Sequence, residues 1–217
     1  MKQKAHIIGI CGKASSAIAT MLQQKGWEVT GSDQGVYPPV SDYLHDQGID
    51  ILSPYKANNV PKDIDMAVVA GNALIIDPDN PEVARAKELN VPVLNYPQVL
   101  HKFVVKDNSI VLVGNYGKGT VSGAIVHVLK ELKLNPSYMV GGQMIDHDES
   151  LASTESDWSV LEGDEYPVPP IDDSKPKSKF FFYDPKYVIL TSAEWDHYDK
   201  FESEEAYVHN YIDLVQT

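Results

Sequence analysis

Short apolar runs alternate with stretches whose apolar residues recur at helical spacing. Residues 5–10 (AHIIGI) form a strand-length apolar run ending in a glycine-containing turn. Residues 16–24 (SAIATMLQQ) place their apolar side chains on one helical face and stop at Lys25-Gly26, a favoured helix end. The alternation continues with a strand at 27–31, a short helix at 40–47 closed by Gly48, and a strand at 65–70. A helix at 81–89 opens on Pro81, a favoured first helical position, and a strand follows at 91–94. This order predicts an α/β fold: a Rossmann-like domain over residues 1–106, with a parallel sheet and helices on both faces.

A second unit is expected over residues 107–217. Residues 109–113 (SIVLV) are a strongly apolar strand. They lead into Gly114-Asn115-Tyr116-Gly117-Lys118-Gly119-Thr120 and a helix from about 121 to 132. Residues 157–161 and 187–191 read as two further parallel strands. The stretch 167–179 between them, rich in proline, aspartate and lysine, reads as an exposed loop, and 203–215 has helical periodicity. These strands are few for a closed α/β domain, so the expectation is a partial phosphate-loop ATPase-like domain.

Composition narrows the classes. A formal net charge of −13 argues against a general nucleic-acid or anionic-membrane binder, which needs a basic face. It leaves room for an anionic nucleotide held by backbone amides at a helix N-terminus and one lysine. No apolar run approaches the ~20 residues of a membrane span. The basic residues 1–4 lead into no cleavage-site pattern, so no signal peptide is expected. The single cysteine, Cys11, cannot form an internal disulfide and fits a reducing cytoplasm.

Two glycine turns carry candidate chemistry. The first, Gly9-Ile10-Cys11-Gly12-Lys13-Ala14-Ser15-Ser16, joins a strand to a helix, where backbone can approach a phosphate. It departs from G-x-G-x-x-G because Cys11 stands where the second glycine belongs, which weakens a nicotinamide-dinucleotide reading. A purely structural tight turn is the alternative. Ser32 and Asp33 end the next strand, where a carboxylate can take a ribose hydroxyl or cap a turn.

The second turn approaches the Walker pattern G-x-x-x-x-G-K-[ST], with Gly117 and Lys118 in place. The residue after the lysine is Gly119, so the hydroxyl that normally reaches Mg²⁺ is missing, and Thr120 comes one residue late. Glu162 to Tyr166 (EGDEY) and Glu194 to Asp199 (EWDHYD) place carboxylates and His197 just past strand ends, where a hard cation beside a phosphate can be held. Three such strand ends in one unit should converge on one sheet edge.

With these motifs in hand, the chain resembles the Mur ligases of bacterial cell-wall synthesis over nearly its whole length. The resemblance is carried by HIIGICG (6–12), VTGSD, VYPPVSDYL (36–44), GNA (71–73), NPEVARA (80–86), GKGT, LEGDEY and EWDHYDKF (194–201). It implies a UDP-sugar-binding domain followed by the first part of a central ATPase domain. The implied activity is ATP-dependent amide formation between a cell-wall peptide amine and the carboxylate of UDP-N-acetylmuramate, through an acyl phosphate. Gly9, Gly12, Ser15, Ser16, Ser32, Asp33 and Asn72 would meet the UDP-sugar. Gly114, Asn115, Gly117, Lys118, Gly119 and Thr120 would meet ATP. Lys118, Glu162 and His197 would serve catalysis, and Glu162, His197 and Thr120 would meet Mg²⁺. The sequence departs from the family loop G-T-H-G-K-T-T at Tyr116 and Gly119, and Ser192 stands where Asn is common. A non-catalytic UDP-sugar-binding homologue is therefore the alternative reading.

Overall fold

The structure, a computed structural model, describes residues 2–142, 144, 149–172 and 174–216. The chain divides into two compact units. The first is Met1–Val99 with Pro169–Lys175, and the second is Leu100–Val168 with Pro176–Thr217. The expected boundary stood at residue 107; the observed division also returns a short later segment to the first unit.

In the first unit the strands are β1 (Lys4–Ile8), β2 (Glu28–Ser32), β3 (Ile51–Leu52), β4 (Met66–Val69) and β5 (Val93–Asn95). They form one parallel sheet in the order β3-β2-β1-β4-β5. The apolar runs are continuous because both faces of such strands are covered; every residue of β4 is buried. The helices are α1 (Lys13–Gln24), α2 (Val40–Asp46), α3 (Gly71–Ile76) and α4 (Pro81–Glu88), followed by α5 (Tyr96–Phe103), which crosses the division. Asn80 caps α4 by accepting from the backbone of Glu82 and Val83, with Pro81 in the first turn.

The second unit has β6 (Asn108–Val113), β7 (Ser137–Met139), β8 (Leu151–Ala152), β9 (Trp158–Glu162), β10 (Pro167–Val168), β11 (Lys177–Ser178) and β12 (Tyr187–Leu190). Five of these make a sheet in the order β12-β6-β9-β7-β8, parallel except for the β7–β8 pair. Its helices are α6 (Lys118–Glu131) and α7 (Glu204–Gln216). Leu112, Val126, Leu129, Tyr138, Val140 and Val160 form its core beneath α6.

The stretch 167–179 is not a simple exposed loop. Val168 and Ser178 are buried where β10 and β11 pair antiparallel. Ile171 packs beside Ile8, Val69, Ala73 and Val83 of the first unit, and Lys87 Nζ donates to its carbonyl at 2.9 Å. A single isoleucine among polar neighbours anchors the segment; local composition hid that anchor. Among the described residues no helix is long and apolar enough to cross a membrane.

Candidate functional site

The first glycine turn leaves β1 and enters α1 with Gly9 at φ +82°, the left-handed region that favours glycine. A Cβ there would fall 2.7 Å from Ala70 Cβ, so the turn also needs glycine for space. The amides of Gly9 and Ile10 both donate to the Ser32 carbonyl, at 2.8 and 3.0 Å. Asp33 accepts from the Cys11 amide at 2.8 Å through Oδ2 and from the Gly35 amide at 3.0 Å through Oδ1. Gly12 caps α1 without a side-chain acceptor, so the first-turn amides of that helix offer an anion site.

The seven residues expected at this end are brought to one sheet edge, but they differ in role. Ser15 and Ser16 are buried, and the Ser16 hydroxyl is spent on the Lys13 carbonyl at 3.0 Å. Asn72 is exposed near the start of α3, just beyond β4. Ser32 is turned inward: it is fully buried and its hydroxyl donates to Glu82 Oε2. Its hydroxyl is thus engaged inside the unit.

Glu82 was not singled out from the sequence. It is fully buried, and its Oε1 accepts from Asn59 Nδ2 at 2.7 Å and the Lys56 amide at 3.0 Å. Its Oε2 lies 3.3 Å from His6 Nε2. Burial alone would raise its carboxyl, but bonds from His6, Ser32, Lys56 and Asn59 outweigh this and hold it below the usual carboxylate range. An acid in the first turn of a helix reads as a dipole partner; only the return of residues 56–59 over it reveals the buried network. Tyr55 was also missed. Its hydroxyl lies 3.6 Å from where a Gly9 Cβ would sit, and burial, then Asp33 and Glu82, push its phenol well up.

The second glycine turn runs from β6 into α6. Gly114 (φ +121°) has no room for a Cβ, which would fall 2.5 Å from the Ser192 carbonyl. Gly117 caps α6 in the left-handed conformation. The loop is fastened to the end of β12. Ser192 Oγ accepts from the Tyr116 amide at 3.0 Å and donates to Asn115 Oδ1 at 2.5 Å. Thr191 Oγ1 donates to the Tyr116 carbonyl at 2.6 Å.

The three strand ends, of β6, β9 and β12, converge as adjacent parallel strands require. Lys118 Nζ donates to the Gly114 carbonyl and lies 3.0 Å from Glu165 Oε2. His197 Nε2 sits 2.8 Å from Glu165 Oε1, and its ring packs edge-on to Tyr166 at 4.4 Å between centroids. Glu165, whose side chain is 1% exposed, is thus the centre of the cluster; from the motif EGDEY alone Glu162 is the expected site residue.

Glu162 ends β9 and accepts from the Gly141 amide at 2.7 Å. Its carboxylate faces Gly119, where a Cβ would lie 3.4 Å from Oε2. Thr120 is exposed on the first turn of α6. Among the described residues no group of three or more His, Cys, Asp or Glu side chains is arranged to hold a metal ion. Glu162 and His197 are therefore brought to the same edge without forming such a cluster, and Thr120 lies one residue beyond Gly119 on α6.

Residues 4–107 match the model of the Mur ligase family, catalytic domain. The chain is 36% identical over 214 residues to a UDP-N-acetylmuramate–L-alanyl-gamma-D-glutamyl-meso-2,6-diaminoheptandioate ligase of Escherichia coli (strain K12), covering 98% of this chain and 46% of the relative. It is 30% identical over 215 residues to a UDP-N-acetylmuramate–L-alanine ligase of Dictyoglomus turgidum, covering 99% of this chain and 43% of that relative. The chain thus spans about half the length of the curated relatives it matches. Among solved structures, it is similar to a UDP-N-acetylmuramate:L-alanyl-gamma-D-glutamyl-meso-diaminopimelate ligase from Neisseria meningitides, with a TM-score of 0.83 and 27% identity over all of this chain and 68% of that one. A murein peptide ligase from Psychrobacter arcticus shares the fold at a TM-score of 0.75 and 22% identity, over 96% of this chain and 46% of that one.

Proposed function

Because this chain carries a Mur ligase family domain, we propose that it supplies the UDP-sugar and ATP sites of a ligase joining a peptide amine to the carboxylate of UDP-N-acetylmuramate. The observation that carries the reading is the convergence of Lys118, Glu165 and His197 beside a glycine turn at the edge of β6, β9 and β12. A lysine at the first turn of a helix is placed to neutralise phosphate charge, and the amides of the turn are placed to orient it.

In the first unit, the amides at the start of α1 take a diphosphate of the sugar nucleotide, and Asp33 and Asn72 take its ribose or uracil groups. Gly9 and Gly12 allow the backbone to approach, and Ser15 offers a neighbouring hydroxyl. Ser16 and Ser32 hold the turn.

In the second unit, Gly114, Asn115, Gly117, Lys118, Gly119 and Thr120 form the loop for the ATP phosphates. The donor set fits a magnesium ion there: Glu162 brings a hard carboxylate oxygen to the strand end, and His197 brings an imidazole. Mg²⁺, when bound, polarises the transferred phosphoryl group. Lys118 balances charge as the muramoyl carboxylate is activated, and the peptide amine then displaces phosphate from the acyl carbon.

Gly119 favours a second reading. It removes the loop hydroxyl beside Glu162, so ATP-driven turnover is impaired while the sugar-nucleotide site of the first unit is untouched. Calorimetric titration separates the two. UDP-N-acetylmuramate binding together with Mg²⁺-ATP binding supports a working ligase portion; sugar-nucleotide binding alone supports the non-catalytic homologue.

A further inference from the structure

We propose that Glu165 is a positioning residue that selects which ring nitrogen of His197 faces a bound cation, and ties that selection to Lys118. The proposal deepens the nucleotide reading of the second unit and rests on it for its metal half.

The Glu165 carboxylate is buried, and both its oxygens are engaged. Oε1 meets His197 Nε2 at 2.8 Å, while Lys118 Nζ lies 3.3 Å from Oε1 and 3.0 Å from Oε2. The residue is anchored behind by the Ser178 hydroxyl, which donates to the Glu165 carbonyl at 2.7 Å. An ionised carboxylate only accepts. Nε2 therefore carries the hydrogen, and a neutral imidazole held this way has its lone pair on Nδ1.

Two further contacts hold the ring in place beside Glu165. Tyr166 packs against it edge-on, with Lys200 Nζ 5.8 Å from the far ring. The His197 backbone is fixed at φ +57° with its amide donating to Asp196 Oδ1 at 2.7 Å. With Nε2 committed to Glu165, Nδ1 is the nitrogen left for a metal. A carboxylate behind a ligating histidine sets the tautomer and raises ligand basicity. Here the same carboxylate also holds the phosphate-loop lysine, so one buried acid registers the imidazole against the ammonium.

The test is the tautomer of His197, read from long-range ¹H–¹⁵N correlations on the ¹⁵N-labelled 217-residue chain at about pH 8, without ligand. The His197→Gln variant identifies the signals. The wild-type ring is expected in the Nε2–H form, and Glu165→Met, which keeps the volume but removes the acceptor, is expected to show a mixture. Mn²⁺ with a non-hydrolysable ATP analogue then probes the metal half by electron paramagnetic resonance. Imidazole nitrogen coupling is expected in the wild type, with Mn²⁺ affinity roughly tenfold to a hundredfold lower in Glu165→Met.

An Nδ1–H ring in the wild type overturns the proposal, and that spectrum needs no variant to fold. Unchanged tautomer and Mn²⁺ affinity in a folded Glu165→Met chain overturn it as well. The expected tautomer with no Mn²⁺ uptake overturns the nucleotide reading and the metal half with it, while the tautomer half stands.

Discussion

Gly119 and Glu162 face each other across the mouth of the second glycine turn: a Cβ built on the glycine would lie 3.4 Å from the Glu162 carboxylate. A hydroxyl attached to that Cβ would share a cation with the carboxylate. The Gly119→Ser variant is therefore expected to raise Mg²⁺-ATP affinity by about tenfold, and a helix former at this exposed turn adds stability of about 0.5 kcal/mol. Calorimetry with and without Mg²⁺ checks this; a gain that is independent of the metal would point to backbone effects alone.

Lys118 and Glu165 form a mostly buried ion pair, with side-chain exposures of 13% and 1%. Removing the lysine takes the ammonium from the buried Glu165 carboxylate and leaves it against His197. Lys118→Met is expected to abolish ATP binding and to lower stability by about 3 kcal/mol. The double variant Lys118→Met/Glu165→Gln should recover a large part of that stability but none of the binding. Urea melts of the two variants, compared with the wild type, measure the difference.

Glu82 gathers Ser32, His6, Asn59 and the Lys56 amide onto one buried carboxylate. Glu82→Ala strands these donors and is expected to cost about 3 kcal/mol. Its carboxyl lies below the ordinary range in the folded chain, so its contribution is full above the unfolded carboxylate value of about 4.3 and is lost as pH falls through the lower folded one. Wild-type stability should therefore fall more steeply below about pH 4.3 than that of Glu82→Ala. Parallel pH-dependent melts with the same acid limb for both chains would remove this role for Glu82.

Cys11 sits in the first glycine turn with its amide on Asp33. Burial, and then the Asp33 carboxylate, push the thiol up to about 11. Because the thiolate is the reactive form, alkylation by iodoacetamide at about pH 8 should run on the order of a hundredfold slower than for a free cysteine. Asp33→Asn should speed it, and should also weaken UDP-sugar binding. A wild-type rate matching that of free cysteine would contradict the observed environment.

The alternation of strands and helices was legible because buried parallel strands leave continuous apolar runs, as in MAVV of β4. Helix starts were less so. The helix α6 begins at Lys118 rather than near 121, because Gly119, Thr120 and Ser122 give its first turn no apolar stripe. Strands of two or three residues, such as β3 and β7, are too short for any period to show. At the second site, Lys118, Glu162 and His197 were readable as motif positions. The choice of Glu165 as their hub depends on which carboxylate of EGDEY points inward, and that is decided by the β10–β11 pair and by Ser178 behind it. Glu82 was illegible for a similar reason: a distant segment buries it.

We propose two anion sites, one for a UDP-sugar in the first unit and one for ATP in the second. Titration of the wild-type chain with UDP-N-acetylmuramate, followed by Mg²⁺-ATP on the same sample, tests it most directly. Saturable one-to-one binding of the sugar nucleotide, lost in Asp33→Ala, and a separate ATP event, lost in Lys118→Met, are the expected results. Heat changes that are absent for both ligands, or that survive both substitutions, would contradict it.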